Sequence, residues 1–266
     1  MLSAWPAATA VTSAMLAQAG MSGNRTIVEN GLGYCYRVTD IASPQRLSRL
    51  SAGLGKVWRF DAKRNELFTK RYPTDGFQLT SVAAAIDLRK KTLRRIPRAA
   101  LPQRISRIEV RMPLLMAATA TLFSGGPDGQ QQLFRRIRDP KQPDWTYIAL
   151  LFDGVWPVAA ALADGELTHR QYRPDRLADP VIAALTKKVD LVPDVSMGVF
   201  GATVRVELSD GSAHESFVPC IDNFPVREKL DAAASEVLSR KRRDVLYRAV
   251  QSLDAFADIR KFIALL

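Results

Sequence analysis

A chain of 266 residues is long enough for one large domain or two modest ones with a buried core. Its 47% hydrophobic and 24% charged content excludes a disordered, collagenous or disulfide-stapled protein. The formal charge of +11, from 38 Lys+Arg against 27 Asp+Glu, favours anionic partners: nucleic acid, phospholipid, or small polycarboxylates and phosphates.

In chain order, the opening "MLSAWPAATAVTSAMLAQAG" is apolar and rich in small residues, and "AQA" resembles a cleavage site. A secretory signal opens on positive charge, however, and none precedes Arg25. Ala8, Thr12 and Leu16 stand at helical spacing with Gly20 as a stop, which predicts a folded helix over Ser3 to Gln18 in a cytoplasmic protein. Helices are also expected over Arg25 to Glu29 and Pro44 to Ala52, with "KVWRF" and "ELFTKRY" as short strands. Gln78 to Lys91 is expected to be a helix turning Val82, Ala85, Ile86 and Leu88 to a core. No segment approaches the about 20 apolar residues that span a bilayer, so no membrane partner is expected.

Composition shifts near Pro97 to Pro102. "RISRIEVRMP" alternates Ile105, Ile108 and Val110 with charged neighbours, as a half-buried strand does. A helical pair follows: the apolar run Trp145 to Ala163, and "RLADPVIAALTKKV" with a proline in its first turn after Asp179. "DLVPD", "ATVRVELSDG" and "HESFVPC" read as strands, and Asp210-Gly211 is a hairpin signal. A β-α-α-β-β-β unit from about Arg104 to Cys220 is an α+β module with an antiparallel sheet. The tail is helical. Leu230, Ala233, Val237 and Leu238 form one stripe, and Ser239 caps a helix whose Val245, Leu246, Ala249, Val250 and Leu253 share a face. Asp254 is expected to cap the last helix, with Ile259, Phe262, Ile263 and Leu266 inward. The predicted fold class is therefore α+β: a mainly helical domain built from both chain ends, with an inserted α+β lid. Residues 1–100 are the partial helical domain, 101–222 the lid, and 223–266 helices returning to the helical domain.

Few classes of chemistry are visible. Cys35 and Cys220 fit no metal or redox spacing and are expected reduced and mostly buried. His169 and His214 lie outside any metal-binding spacing and are expected at the surface. No G-x-S-x-G elbow, Walker or dinucleotide glycine pattern occurs, and "SGGPDG" at Ser124 to Gly129 reads as a flexible loop. No metal and no cofactor is expected. Basic residues crowd Arg89 to Arg111, Arg135 to Lys141 and Arg240 to Arg243 without a nucleic-acid recognition motif, so that partner rests on charge alone. Lys70 and Arg71, held by Tyr72-Pro73 ahead of a helix, offer a point charge and a planar fork for an anion. The same residues also read as a solvated basic turn. Trp156-Pro157 reads as core packing or as a ligand-stacking surface.

Four segments together resemble the MmgE/PrpD family, which includes 2-methylcitrate dehydratase, cis-aconitate decarboxylase and related isomerases. "AATAVTSAMLAQAGMSGNRTIVENGLGYCY" is similar to the family's small-residue helix and its following glycine-aromatic stretch. "TKRYPTDGFQLTSVAAAIDL" resembles its K-x-Y-P segment. "VAAALADGELTHRQYRPDRLADPVIAALTKKVDLVPD" resembles its ALLDGxVT…DP-V block, and Arg227 to Leu266 its final helices. Leu114 to Gln132 fits the pattern poorly and reads as an insertion. The resemblance implies the same helical domain plus lid, and a cofactor-independent lyase or isomerase acting on a small polycarboxylate. It implies that Lys70 matches the family's lid-proximal lysine, that Asp75 stands where some members carry histidine, and that Trp156 stands where a lid tyrosine falls. Lys70 and Asp75 are thus the expected catalytic residues, and Lys70, Arg71 and Trp156 the expected substrate-binding ones. Most of the family's catalytic helical domain has no counterpart here, so the expected assembly is a homodimer or a complex with a separately encoded N-terminal half. The competing reading is a non-catalytic relic or binding subunit of the same fold.

Overall fold

A computed structural model describes residues 4–28, 33–34, 52–53, 56–57, 69–124, 150–221 and 225–265. Clustering of contacts divides the chain into two bodies, Met1–Glu66 and Leu67–Leu266.

In the first body, helix α1 spans Ala4–Gln18 as the spacing predicts. Gly20 ends it at φ 95°. Its N–H donates to the Ala17 carbonyl at 3.0 Å and the Met21 N–H to the Leu16 carbonyl at 2.9 Å, the paired bonds of a glycine-terminated helix. The helix expected from Arg25 is a turn over residues 25–28 instead. Asn24 Oδ1 accepts the Thr26 N–H at 3.0 Å there, offering the backbone a local alternative to helix. The described residues of "KVWRF" and "ELFTKRY" (56–57 and 69–72) are not strand, and most of the expected Pro44 to Ala52 helix lies outside the described residues.

The second body is α+β. Helix α2 is Leu79–Lys91, with Val82, Ala84, Ala85 and Leu88 buried and Ile86 packed against them. Strand β1 is Ile105–Met112. Ile105 and Ile108 are three residues apart, yet both are fully buried. A register shift between Ile105 and Arg107 reconciles them, since one extra residue restores the inward face. Helix α3, Leu114–Ser124, falls in the segment that fitted the family pattern poorly. Helix α4 covers only Trp156–Asp164 of the apolar run. It is broken on its N-terminal side because Asp153 Oδ1 accepts the Val155 N–H at 2.7 Å and the Trp156 N–H at 3.4 Å. Residues 145–149 of that expected helix lie outside the described residues. Helix α5 is Pro180–Thr186, capped by Asp179 through the Val181 and Ile182 N–H groups as expected.

Strands β2 Val189–Pro193, β3 Ala202–Leu208 and β4 Ala213–Val218 complete a four-stranded sheet in the order β2-β1-β3-β4. The β3–β4 hairpin turns at Gly211, φ 84°, as its Asp-Gly predicts. The sheet is mixed rather than antiparallel, because β1 and β2 run parallel. The helical connection through α4 and α5 returns the chain to its starting end, which is how a crossover makes parallel neighbours. Val204 and Val206 join the β1 residues on the inner face, where α2 packs on β3 and β4; α4, whose residues Trp156 to Ala163 are all buried, packs against α2 and α5.

The tail forms α6 Val226–Ala234, α7 Arg240–Gln251 and α8 Ile259–Ile263. Ser239 caps α7 as predicted, but α8 is capped by Asp258 rather than Asp254. Its apolar stripes are only partly used. Leu246 and Ala249 are buried, whereas Val237, Val250, Leu253, Ile259 and Ile263 are exposed. Ion pairs of Arg227 with Asp244 and of Arg243 with Asp231 join α6 to α7 instead, and Arg227 also pairs with Asp231 within α6. Among the described residues no helix is long and apolar enough to cross a membrane.

Candidate functional site

The turn at residues 70–78 is fastened to residues 151–152 by buried polar groups. Thr74 Oγ1 lies 2.9 Å from Gln78 Oε1 and donates within reach of the Leu151 carbonyl at 3.1 Å. Gln78 Nε2 donates to the Phe152 carbonyl at 2.8 Å, and the Asp75 N–H to the Leu151 carbonyl at 2.7 Å. A buried hydrogen-bonded turn is costly to displace, so Lys70 and Arg71 project from a fixed base.

Their side chains take different directions. Lys70 Nζ donates to the Thr74 carbonyl at 3.1 Å. Lys229, on the first turns of α6, donates from Nζ to the Lys70 carbonyl across 159 residues of sequence. Burial, and then the neighbouring Lys70 ammonium, push the proton affinity of Lys229 below that of an ordinary lysine. Among the described residues, neither ammonium is in an ion pair with a carboxylate. Two cations held together without a counter-ion form a site that an anion stabilises.

Arg71 lines a cleft of ≈ 380 Å³ between α2 and edge strand β4. Thr80, Asp87 and Lys91 border it from α2, and Ser216 and Cys220 from the β4 side. Asp87 receives Lys91 at 2.6 Å and the Ser216 hydroxyl at 3.1 Å, which tethers helix to strand. Burial pushes the Tyr72 phenol up, partly opposed by Arg71.

The remaining expected site residues are elsewhere. Asp75 is the N-cap of the helical turn Gly76–Gln78, with Oδ2 accepting the Phe77 N–H at 3.2 Å. Trp156 is fully buried and packs on Tyr172 at 4.9 Å between ring centres. Its indole Nε1 has no hydrogen-bond partner among the described residues. The core-packing reading of Trp156-Pro157 is the one its environment matches. Cys220 is exposed rather than buried, and Cys35 lies outside the described residues. His169 is half-exposed and meets Glu236 Oε2 at 3.3 Å, where Arg170 and Arg173 also converge. Among the described residues no group of His, Cys, Asp and Glu side chains could hold a metal ion.

No protein-family model and no curated protein matches this chain.

The MmgE/PrpD resemblance therefore rests on the quoted segments alone. Asp164 and Asp179 face two guanidiniums. Arg98 reaches Asp164 at 2.8 Å and Asp179 at 2.7 Å, and Arg176 reaches Asp179 at 2.7 Å and also pairs with Asp164. This closed ring ties the ends of α4 and α5 together. Sequence reading missed Lys229 altogether, because nothing local in "VREKLDAAA" distinguishes its lysine from a solvated one.

Proposed function

We propose that the Leu67–Leu266 body binds a small polycarboxylate at Lys70 and Lys229, with Arg71 beside them, as the lid and tail portion of an MmgE/PrpD-type lyase or isomerase. The observation that carries this reading is the uncompensated Lys70–Lys229 pair. Deprotonating a carbon next to a carboxylate places charge on the carboxylate oxygens, and preformed cations lower that barrier most. The resemblance of "TKRYP" to the family's lysine segment points to the same residue from the sequence side. In this reading the sheet and its helices form the lid, and a second copy or a partner chain supplies further groups of the site.

The test is turnover of methylcitrate-like and aconitate-like acids by the purified chain, alone and with a candidate partner. Turnover that disappears in Lys70→Met supports the reading, and its absence in both preparations refutes the catalytic half. A binding subunit without catalysis is the second reading. It is favoured by Asp75, whose carboxylate caps its own helical turn rather than facing the cations as a base. Steeply salt-dependent retention on DNA, with no response to polycarboxylates, would instead favour the basic surface as a nucleic-acid interface.

A further inference from the structure

With Asp75 capping its own helical turn, the site has a way to stabilise negative charge but, among the described residues, no carboxylate placed as a base. We propose that Lys229 is its proton acceptor, the amine taking a proton from the carbon next to a carboxylate held by Lys70. This rests on the polycarboxylate reading above and adds to it the group that performs the first chemical step.

The geometry comes from two elements. The Lys229 side chain leaves α6 and ends against the Lys70 main-chain carbonyl, while the Lys70 ammonium turns to the Thr74 carbonyl. A neutral amine still donates one N–H to that carbonyl and keeps its lone pair for a proton. Charged groups on the neighbouring elements are otherwise engaged. Asp231 on α6 and Asp244 on α7 are taken by Arg227 and Arg243, and Asp75 on the loop caps its own helical turn. Glu228 on α6 makes no ion pair with Lys229, and the loop's cations are Lys70 and Arg71. Among the described residues, no carboxylate is thus placed to hold Lys229 protonated. Its lowered proton affinity follows from burial and from Lys70. A desolvated lysine beside a second cation is an arrangement that activates an amine.

The step balances without a redox partner. The C–H bond breaks, its electron pair moves into the adjacent carboxylate as an enediolate beside the Lys70 ammonium, and a new N–H bond forms on Lys229. For a β-hydroxy acid, collapse of the enediolate expels the hydroxyl. Return of the same proton to it releases water and an alkene, and regenerates the amine.

The experiment is exchange of the citrate methylene hydrogens in D2O, followed by proton NMR, with citrate binding measured in parallel. The wild-type chain is expected to exchange them, with a rate that rises as Lys229 deprotonates. Lys229→Met is expected to lower the rate about 100-fold or more while the fold is retained. Lys229→Arg, which keeps the charge and a donor for the Lys70 carbonyl, is expected to bind citrate more tightly than Lys229→Met yet fail to exchange it. In Lys70→Met the proton affinity of Lys229, read from methyl-labelled lysines, is expected to rise. Exchange that survives Lys229→Arg, or a wild-type chain that binds citrate without exchange, overturns the base assignment and leaves the binding reading standing. A chain that does not bind citrate overturns both.

Discussion

Asp164→Asn breaks the ring of Arg98, Asp164, Arg176 and Asp179 with almost no change of volume. The carboxylates are 11% and 9% exposed, and the arginines 34% and 28%. Gln171 Nε2 adds a third donor to Asp164 at 3.1 Å. Removing one partner of a fully buried ion pair costs about 3–5 kcal/mol. Because the arginines keep partial contact with water, the expected cost here is about 2–3 kcal/mol. At roughly 2–4 °C per kcal/mol for a body of this size, the melting temperature falls by about 4–12 °C. The pH dependence fixes the sign. Burial alone raises both carboxyls, but their arginine bonds outweigh it and hold both below the ordinary carboxylate value. Their stabilisation is therefore complete above the unfolded-state value of about 4, and is lost as pH falls through the folded-state values. Urea unfolding of wild type and variant from pH 7 downward is expected to show a gap that closes in acid. A gap under about 0.5 kcal/mol at pH 7, or one that widens as pH falls, would refute the assignment.

Three further outcomes follow from the packing and the turn. Gly154→Ala puts a Cβ 2.6 Å from Ala120 Cβ and 2.9 Å from Leu191 Cδ1, so it is expected to destabilise by about 1–3 kcal/mol in denaturant titrations; a stabilised variant contradicts this packing. Thr74→Val removes the one hydroxyl proton that Gln78 Oε1 and the Leu151 carbonyl compete for, the latter keeping the Asp75 N–H, at a cost of about 1–3 kcal/mol, and is expected to weaken citrate binding by loosening the turn that carries Lys70. Unchanged affinity would separate the turn from the site. The Cys220 thiol is expected to react with an aromatic disulfide reagent in the native protein, and Cys220→Ser to remove that reaction. Reaction of Cys220 only after unfolding would show it to be covered.

What was legible in the sequence was local. The inward residues of β1, the proline after Asp179, the Asp-Gly hairpin and Gly20 each act within a few residues, and each does what its chemistry predicts. The long-range features were less visible. A strand such as "VDLVP" reads the same beside a parallel or an antiparallel neighbour, so the mixed sheet followed only from where the crossover helices return the chain. The tail shows the converse limit. Its apolar spacing is real, yet Val237, Ile259 and Ile263 are exposed, while arginine–aspartate pairs join its helices. At the site, Lys70 and Arg71 stood out because they flank a turn, whereas Lys229 gains its meaning only from a contact 159 residues away. Trp156 shows how a residue matched by position alone can belong to the core.

The central claim is that Lys70 and Lys229 form a receptor for a small polycarboxylate. Calorimetric titration of citrate into the full chain tests it most directly, with acetate at equal ionic strength as the comparison. The account expects saturable citrate binding that weakens at least tenfold in both Lys70→Met and Lys229→Met, and no matching response to acetate. Equal, salt-screened responses to both acids, or citrate affinity unchanged in the two variants, would contradict it.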